Sequence, residues 1–114
     1  MPDPDELGAL ERQRAELSRV LGLQADRVRG LPLSRLDRSR DGAPSAADVV
    51  RQAAQELADL AADAEGRERR PLPVLATHGL GDQLAVVGRD VVRSGAATHL
   101  AAAHDVLARV RGAL

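Results

Sequence analysis

An all-α, four-helix-bundle-like arrangement of antiparallel helices with a long first helix is what the sequence predicts. Three observations point to it. The 114-residue chain has no Phe, Tyr or Trp and no Ile, so its core is built from Leu, Val and Ala. Ala and Leu are the strongest helix formers, whereas strands favour aromatic and β-branched residues. Apolar residues also recur at steps of three and four in four segments, the period of an amphipathic helix. Finally, Gly, Pro and capping residues punctuate the chain between those segments. Side chains this short let packed helices approach to the close end of the usual separation of about 8–10 Å.

The first helix is expected over residues 5–29. Asp3 or Asp5 can cap it and Pro4 suits its first turn. Leu7, Leu10, Leu17 and Leu21 follow the spacing of a heptad seam, with Arg14 at the seam position between Leu10 and Leu17. The Arg14 stem is expected to cover apolar surface while its head reaches water. Gly22 is a weak point, and a break there is an open alternative. Gly30 and Pro32 end the helix.

Residues 30–45, with two prolines and two glycines, are expected to be a loop-like connection pinned to the core by Leu31, Leu33 and Leu36. The second long helix is expected over 46–65. Ser45 caps it, and Asp48 three residues on completes a capping box with Asp in place of Glu. Val50, Ala53, Ala54, Leu57, Leu60, Ala61 and Ala64 form its apolar face, and Gly66 ends it. The linker "RERRPLP" follows.

The stretch "THGLGDQLAVVGRDVV" admits two readings. As a glycine loop before a helix N-terminus it would cradle phosphate groups. Yet the chain has no lysine, a third glycine is missing, and no further apolar strands exist to form a doubly wound sheet. As a helix over 80–93, one wheel gives three facets. Leu80, Leu84, Val87 and Val91 share the first. Gly81, Ala85, Gly88 and Val92 share the second, a small-residue surface on which another helix can sit closely. His78, Asp82, Arg89 and Arg93 share the third. The helix reading is the stronger. A last helix is expected over 97–112, with Leu100, Ala103, Leu107, Val110 and Leu114 in line. Residues 1–114 are read as a single helical domain.

All sixteen basic residues are Arg, and the formal net charge is -1. Nucleic-acid binders carry a basic excess, and there is no aromatic residue to stack on a base. The arginine runs (Arg35, Arg38 and Arg40; Arg67, Arg69 and Arg70) are diluted by Asp37, Asp41, Glu65 and Glu68. Nucleic acid is therefore not the expected partner. The absence of Cys excludes disulfides and cysteine-based zinc sites. Neither a secretory leader nor a membrane span is legible, and the cytoplasm is the expected location.

Catalytic patterns are missing too. There is no Gly-x-Ser-x-Gly elbow, and Thr77 beside His78 is not a triad. Three His with Asp82, Asp90 and Asp105 are ligand types for a metal, but the Glu-x-x-His pairs of carboxylate bundles are absent. No catalytic residue, metal ligand or cofactor is assigned. The expected function is a protein-interaction module that self-associates or docks through apolar helix faces. Leu7, Leu10, Arg14, Leu17, Leu21, Gly81, Ala85 and Gly88 are its candidate interaction residues. A core of small side chains is lean, which predicts a dimer or hetero-complex with the first helix in the interface. The competing class is a small-ligand or metal-binding helical protein using His78, Asp82, Arg89 and Arg93.

Overall fold

The computed structural model describes residues 3–39 and 41–114, so Arg40 of the first arginine run lies outside them. Its helices are α1 (Pro4–Gly30), α2 (Leu33–Leu36), α3 (Ala46–Glu65), α4 (Leu80–Ser94) and α5 (Ala97–Ala113), with a 3-10 turn over Thr77–Gly79 leading into α4. No strand occurs among the described residues, and no helix there is long and apolar enough to cross a membrane.

Local chemistry explains the ends. The Asp3 carboxylate accepts from the Glu6 backbone N–H at 2.8 Å, and Pro4 opens α1 where no N–H is needed. The helix runs through Gly22 without a break. At α3 the capping box forms as the spacing predicts. Ser45 Oγ accepts from Asp48 N at 3.1 Å, and the Asp48 carboxylate accepts from Ser45 N at 3.4 Å. Gly66 ends α3 at φ 67°, a left-handed position that glycine occupies without strain.

The connection after α1 differs from the loop expected over 30–45, because it contains the single turn α2. Leu36 on that turn is buried, and Leu31 packs at the core edge. Leu33 does not help to pin it, since it is exposed. A turn with one inward leucine is too short to show a helical stripe in sequence.

α1, α4, α3 and α5 form the bundle in that spatial order, α4 and α5 each packing on both α1 and α3. Directions follow from contacts at the two ends. Arg14 reaches the Val92 carbonyl and Arg29 reaches Asp82, so α1 and α4 are antiparallel. Arg109 pairs with Glu56 near the middle of α3, while Ala46 and Leu114 line one cleft, so α3 and α5 are also antiparallel. α3 and α4 run in the same direction: Arg51 lies by Thr77, and Glu65 accepts from Ser94. The chain must therefore return the length of α3 before starting α4, and residues 66–76 do this as an extended strap.

Side chains of the helices hold that strap. Gln55 donates to the Arg70 carbonyl at 3.1 Å and accepts from Leu72 N at 2.8 Å. Gln83 donates to the Pro73 carbonyl at 3.1 Å. An extended segment has no ladder partner of its own, so these amides stand in for a neighbouring strand. Arg69 and Asp63 pair through two hydrogen bonds at the α3 end, which holds the Asp63 carboxyl below its usual range.

The core is Leu, Val and Ala, as the composition requires. Leu17, Leu36, Leu57, Leu80, Leu84, Leu100 and Leu107 are its largest fully enclosed side chains. Gln24 sits among buried residues of α1, only 7% exposed, and its Oε1 has no hydrogen-bond partner. An unpaired buried acceptor costs roughly 1–3 kcal/mol. Replacing Gln24 with Met, of similar length, is expected to raise stability in urea unfolding by about 1 kcal/mol, with the helical signal unchanged. A loss of similar size would show that the Gln24 amide is satisfied.

Candidate interaction surface

Two facets of α4 are buried, because the helix lies between α1 and α3. Leu80, Leu84, Val87 and Val91 are enclosed, and so are Gly81, Ala85 and Gly88 beside them. The occupant of the small facet is α1 of the same chain. A Cβ placed on Gly88 would lie 2.6 Å from Cδ2 and 3.1 Å from Cγ of Leu21. A Cβ on Gly81 would lie 2.6 Å from Cγ of Arg29 and 3.0 Å from the Ala25 carbonyl oxygen. Glycine is needed at both positions for α1 to sit this close. Leu17, Leu21, Gly81, Ala85 and Gly88 are thus turned inward and present no surface to a partner.

Arg14 also behaves differently from the sequence expectation. Its head is partly covered and is engaged within the chain as well as facing Glu11. The side chain is 22% exposed, and Nη1 donates to the Val92 carbonyl at 2.5 Å. Val92 belongs to the last turn of α4, where carbonyls lack intrahelical partners and a cation opposes the helix dipole favourably. Nearby, Gln13 donates to the Ala97 carbonyl at the start of α5, at 3.3 Å. These two contacts fix α1 against the α4–α5 turn.

Beyond them α1 continues. Residues 4–12 lie on the N-terminal side of these two contacts, a run of about 13 Å at 1.5 Å per residue. No residue of α1 before Leu17 is buried. Leu10 packs at the core edge, whereas Leu7 is 48% exposed. Leu7 and Leu10 extend the stripe of Leu17 and Leu21 onto this projecting arm. Asp3, Asp5, Glu6 and Glu11 lie on it, and no base occurs before Arg12. Arm and bundle together give a longest dimension of 50 Å, against 27 and 22 Å across.

At the opposite end of the molecule two arginines border a cleft. This cleft, of about 400 Å³, lies where α2, the start of α3 and the end of α5 meet. Arg35 and Arg38 rim it, over Ala43, Pro44, Ala46, Gly112, Ala113 and Leu114. Neither arginine makes an ion pair among the described residues. Of the second run, Arg67 pairs with Glu65 and Arg69 with Asp63.

The face of His78, Asp82, Arg89 and Arg93 does not converge. Asp82 accepts from Arg29 at 2.7 Å, and that bond holds the guanidinium pKa above its ordinary value. Arg93 pairs with Asp90 instead. Arg89 is exposed, about 10 Å along the axis from Asp82 at 1.5 Å per residue. His78 borders a separate cleft of about 280 Å³ with Thr77, Leu31 and Leu33. His99 Nδ1 accepts from Ala96 N at 3.0 Å and so serves the α5 start. No group of three or more His, Asp or Glu among the described residues is placed to hold a metal ion.

Sequence reasoning missed Gln13, Gln55 and Gln83, which bind backbone groups. The signal was faint: uncharged amides on helices otherwise polar through Asp, Glu and Arg. Comparison with protein-family models, curated proteins and solved structures finds no match to this chain.

Arg14→Ala is expected to lower stability in urea unfolding by about 1.5–3 kcal/mol, the range for a charge-assisted bond to a partly buried acceptor. A change under about 0.5 kcal/mol, typical of a solvated surface residue, would mean that the guanidinium does not cap α4.

Proposed function

We propose that the protein is a helical interaction module whose docking element is the projecting arm of α1. One observation carries the reading: the apolar stripe of α1 continues at Leu7 after the bundle that covers it has ended. A lone exposed leucine is ordinary. A leucine on the same stripe as the core contacts, on a helix held rigid at its base by Arg14 and Gln13, is arranged as an anchor for a complementary apolar surface. The acidic side chains around it favour a partner with a basic rim. The cytoplasmic location and the assembly with a second chain belong to this same proposal.

Less supports the ligand-binding alternative on the α4 face, since Asp82 and Arg93 are already engaged within the chain. The arm reading is tested by placing a photo-crosslinking amino acid at position 7 and, as control, at the exposed position 86 on α4. Irradiation in the native host is expected to give a discrete adduct from position 7 that disappears in Leu10→Asp and has no counterpart from position 86. No adduct from position 7, or the same adducts from both positions, would contradict the reading.

A further inference from the structure

The two ends of the molecule are complementary to each other. The arm carries Asp3, Asp5, Glu6 and Glu11 against one base, Arg12, with Leu7 exposed among them. The cleft at the far end presents Arg35 and Arg38, no acidic side chain, and a floor of Ala43, Pro44, Ala113 and Leu114. Net charge hides this polarity because the chain sums to -1.

We infer that the arm of one copy docks in the Arg35–Arg38 cleft of a second copy. This rests on the reading of the arm as the docking element and names its partner. Leu7 and the tip of α1 meet Pro44 and Leu114 in a cleft whose lining is mostly polar, and Asp5 and Glu6 meet the two guanidinium groups. A symmetric arm-to-arm pairing is disfavoured, because it would bring four carboxylates of each copy together with only Arg12 of each to offset them. The cleft cannot be filled by the arm of its own chain, since the two lie at opposite ends of α1. Contact of unlike surfaces is heterologous. It gives a closed pair if two copies lie side by side in opposite directions, and an open chain if they follow head to tail. The pairs are at a solvent-exposed rim and the apolar contact is small, so association is weak and salt-sensitive.

Sedimentation velocity and crosslink mapping test this together. Wild-type protein is expected to sediment as more than a monomer at high concentration, with an apparent Kd that rises several-fold when salt is increased from low to molar. Asp5→Arg/Glu6→Arg and Arg35→Glu/Arg38→Glu are each expected to be monomeric alone. Mixed in equal amounts they are expected to associate again, because a basic arm then meets an acidic cleft and an acidic arm meets a basic one. The cleft variant leaves the arm untouched, and circular dichroism checks that both variants keep their helicity. In the purified wild type, the crosslinker at position 7 is expected to map to residues 33–46 or 112–114 of another copy.

A wild type that stays monomeric up to its solubility limit overturns the inference, as does a mixture that stays monomeric or a crosslink that maps to the second copy's own arm. If position 7 instead captures a different protein in the host while the purified chain is monomeric, the arm still docks and the self-docking inference alone falls. If it captures nothing in either setting, both fall.

Discussion

Everything in this bundle depends on how closely α1 lies on α4. Leu21 fills the space that a side chain at position 88 would take, and the backbone of α1 at Ala25 lies against Gly81. A chain restricted to Leu, Val and Ala fills little volume per residue, so its helices must approach closely to exclude voids. Two glycines on one facet of α4 make that approach possible, and each gives up about 1 kcal/mol of helix propensity relative to Ala in doing so. With α1 on one side and α3 on the other, α4 becomes the helix around which the core is organised. Arg14 and Gln13 then fasten α1 to the α4–α5 turn, and the arm beyond them leaves Leu7 exposed.

The direction of α4 sets the second constraint. Because α3 and α4 are parallel, their connection must travel the full length of the bundle. Short linkers between neighbouring helices give antiparallel pairs; a crossover requires a long one. Residues 66–76 supply the length, and their prolines favour the extended form. Gln55, Gln83 and Arg51 satisfy backbone groups of the strap that have no partner within it.

The all-helical fold class was legible because hydrophobic period and capping chemistry are local properties. The three facets of α4 could be read before any neighbour was known, and the small facet does receive a close-packed helix. What covers that facet was not legible. The same Gly81, Ala85 and Gly88 serve an internal contact or an external one, and only the three-dimensional arrangement shows α1 there. Long-range pairings were hidden for the same reason. Arg14 lies 78 residues from the carbonyl it caps, and nothing in its neighbourhood announces that partner. α2 was hidden by its length, and the parallel course of α3 and α4 by the absence of any directional signal in an amphipathic stripe. Leu7 and Leu10 looked like the rest of the seam; their exposure depends on where the other helices end.

The central claim is that Leu21 and position 88 compete for one space. A double-mutant cycle in urea unfolding measures this directly. Alone, Gly88→Leu should destabilise by about 1–3 kcal/mol through overpacking, and Leu21→Ala by about 2–5 kcal/mol through the cavity it leaves. Combined, the new leucine at 88 can enter the space vacated at 21. The double variant should therefore lose at least about 1 kcal/mol less than the sum of the single losses. Losses that add to within about 0.5 kcal/mol, as for residues that do not touch, would contradict the close packing of α1 on α4.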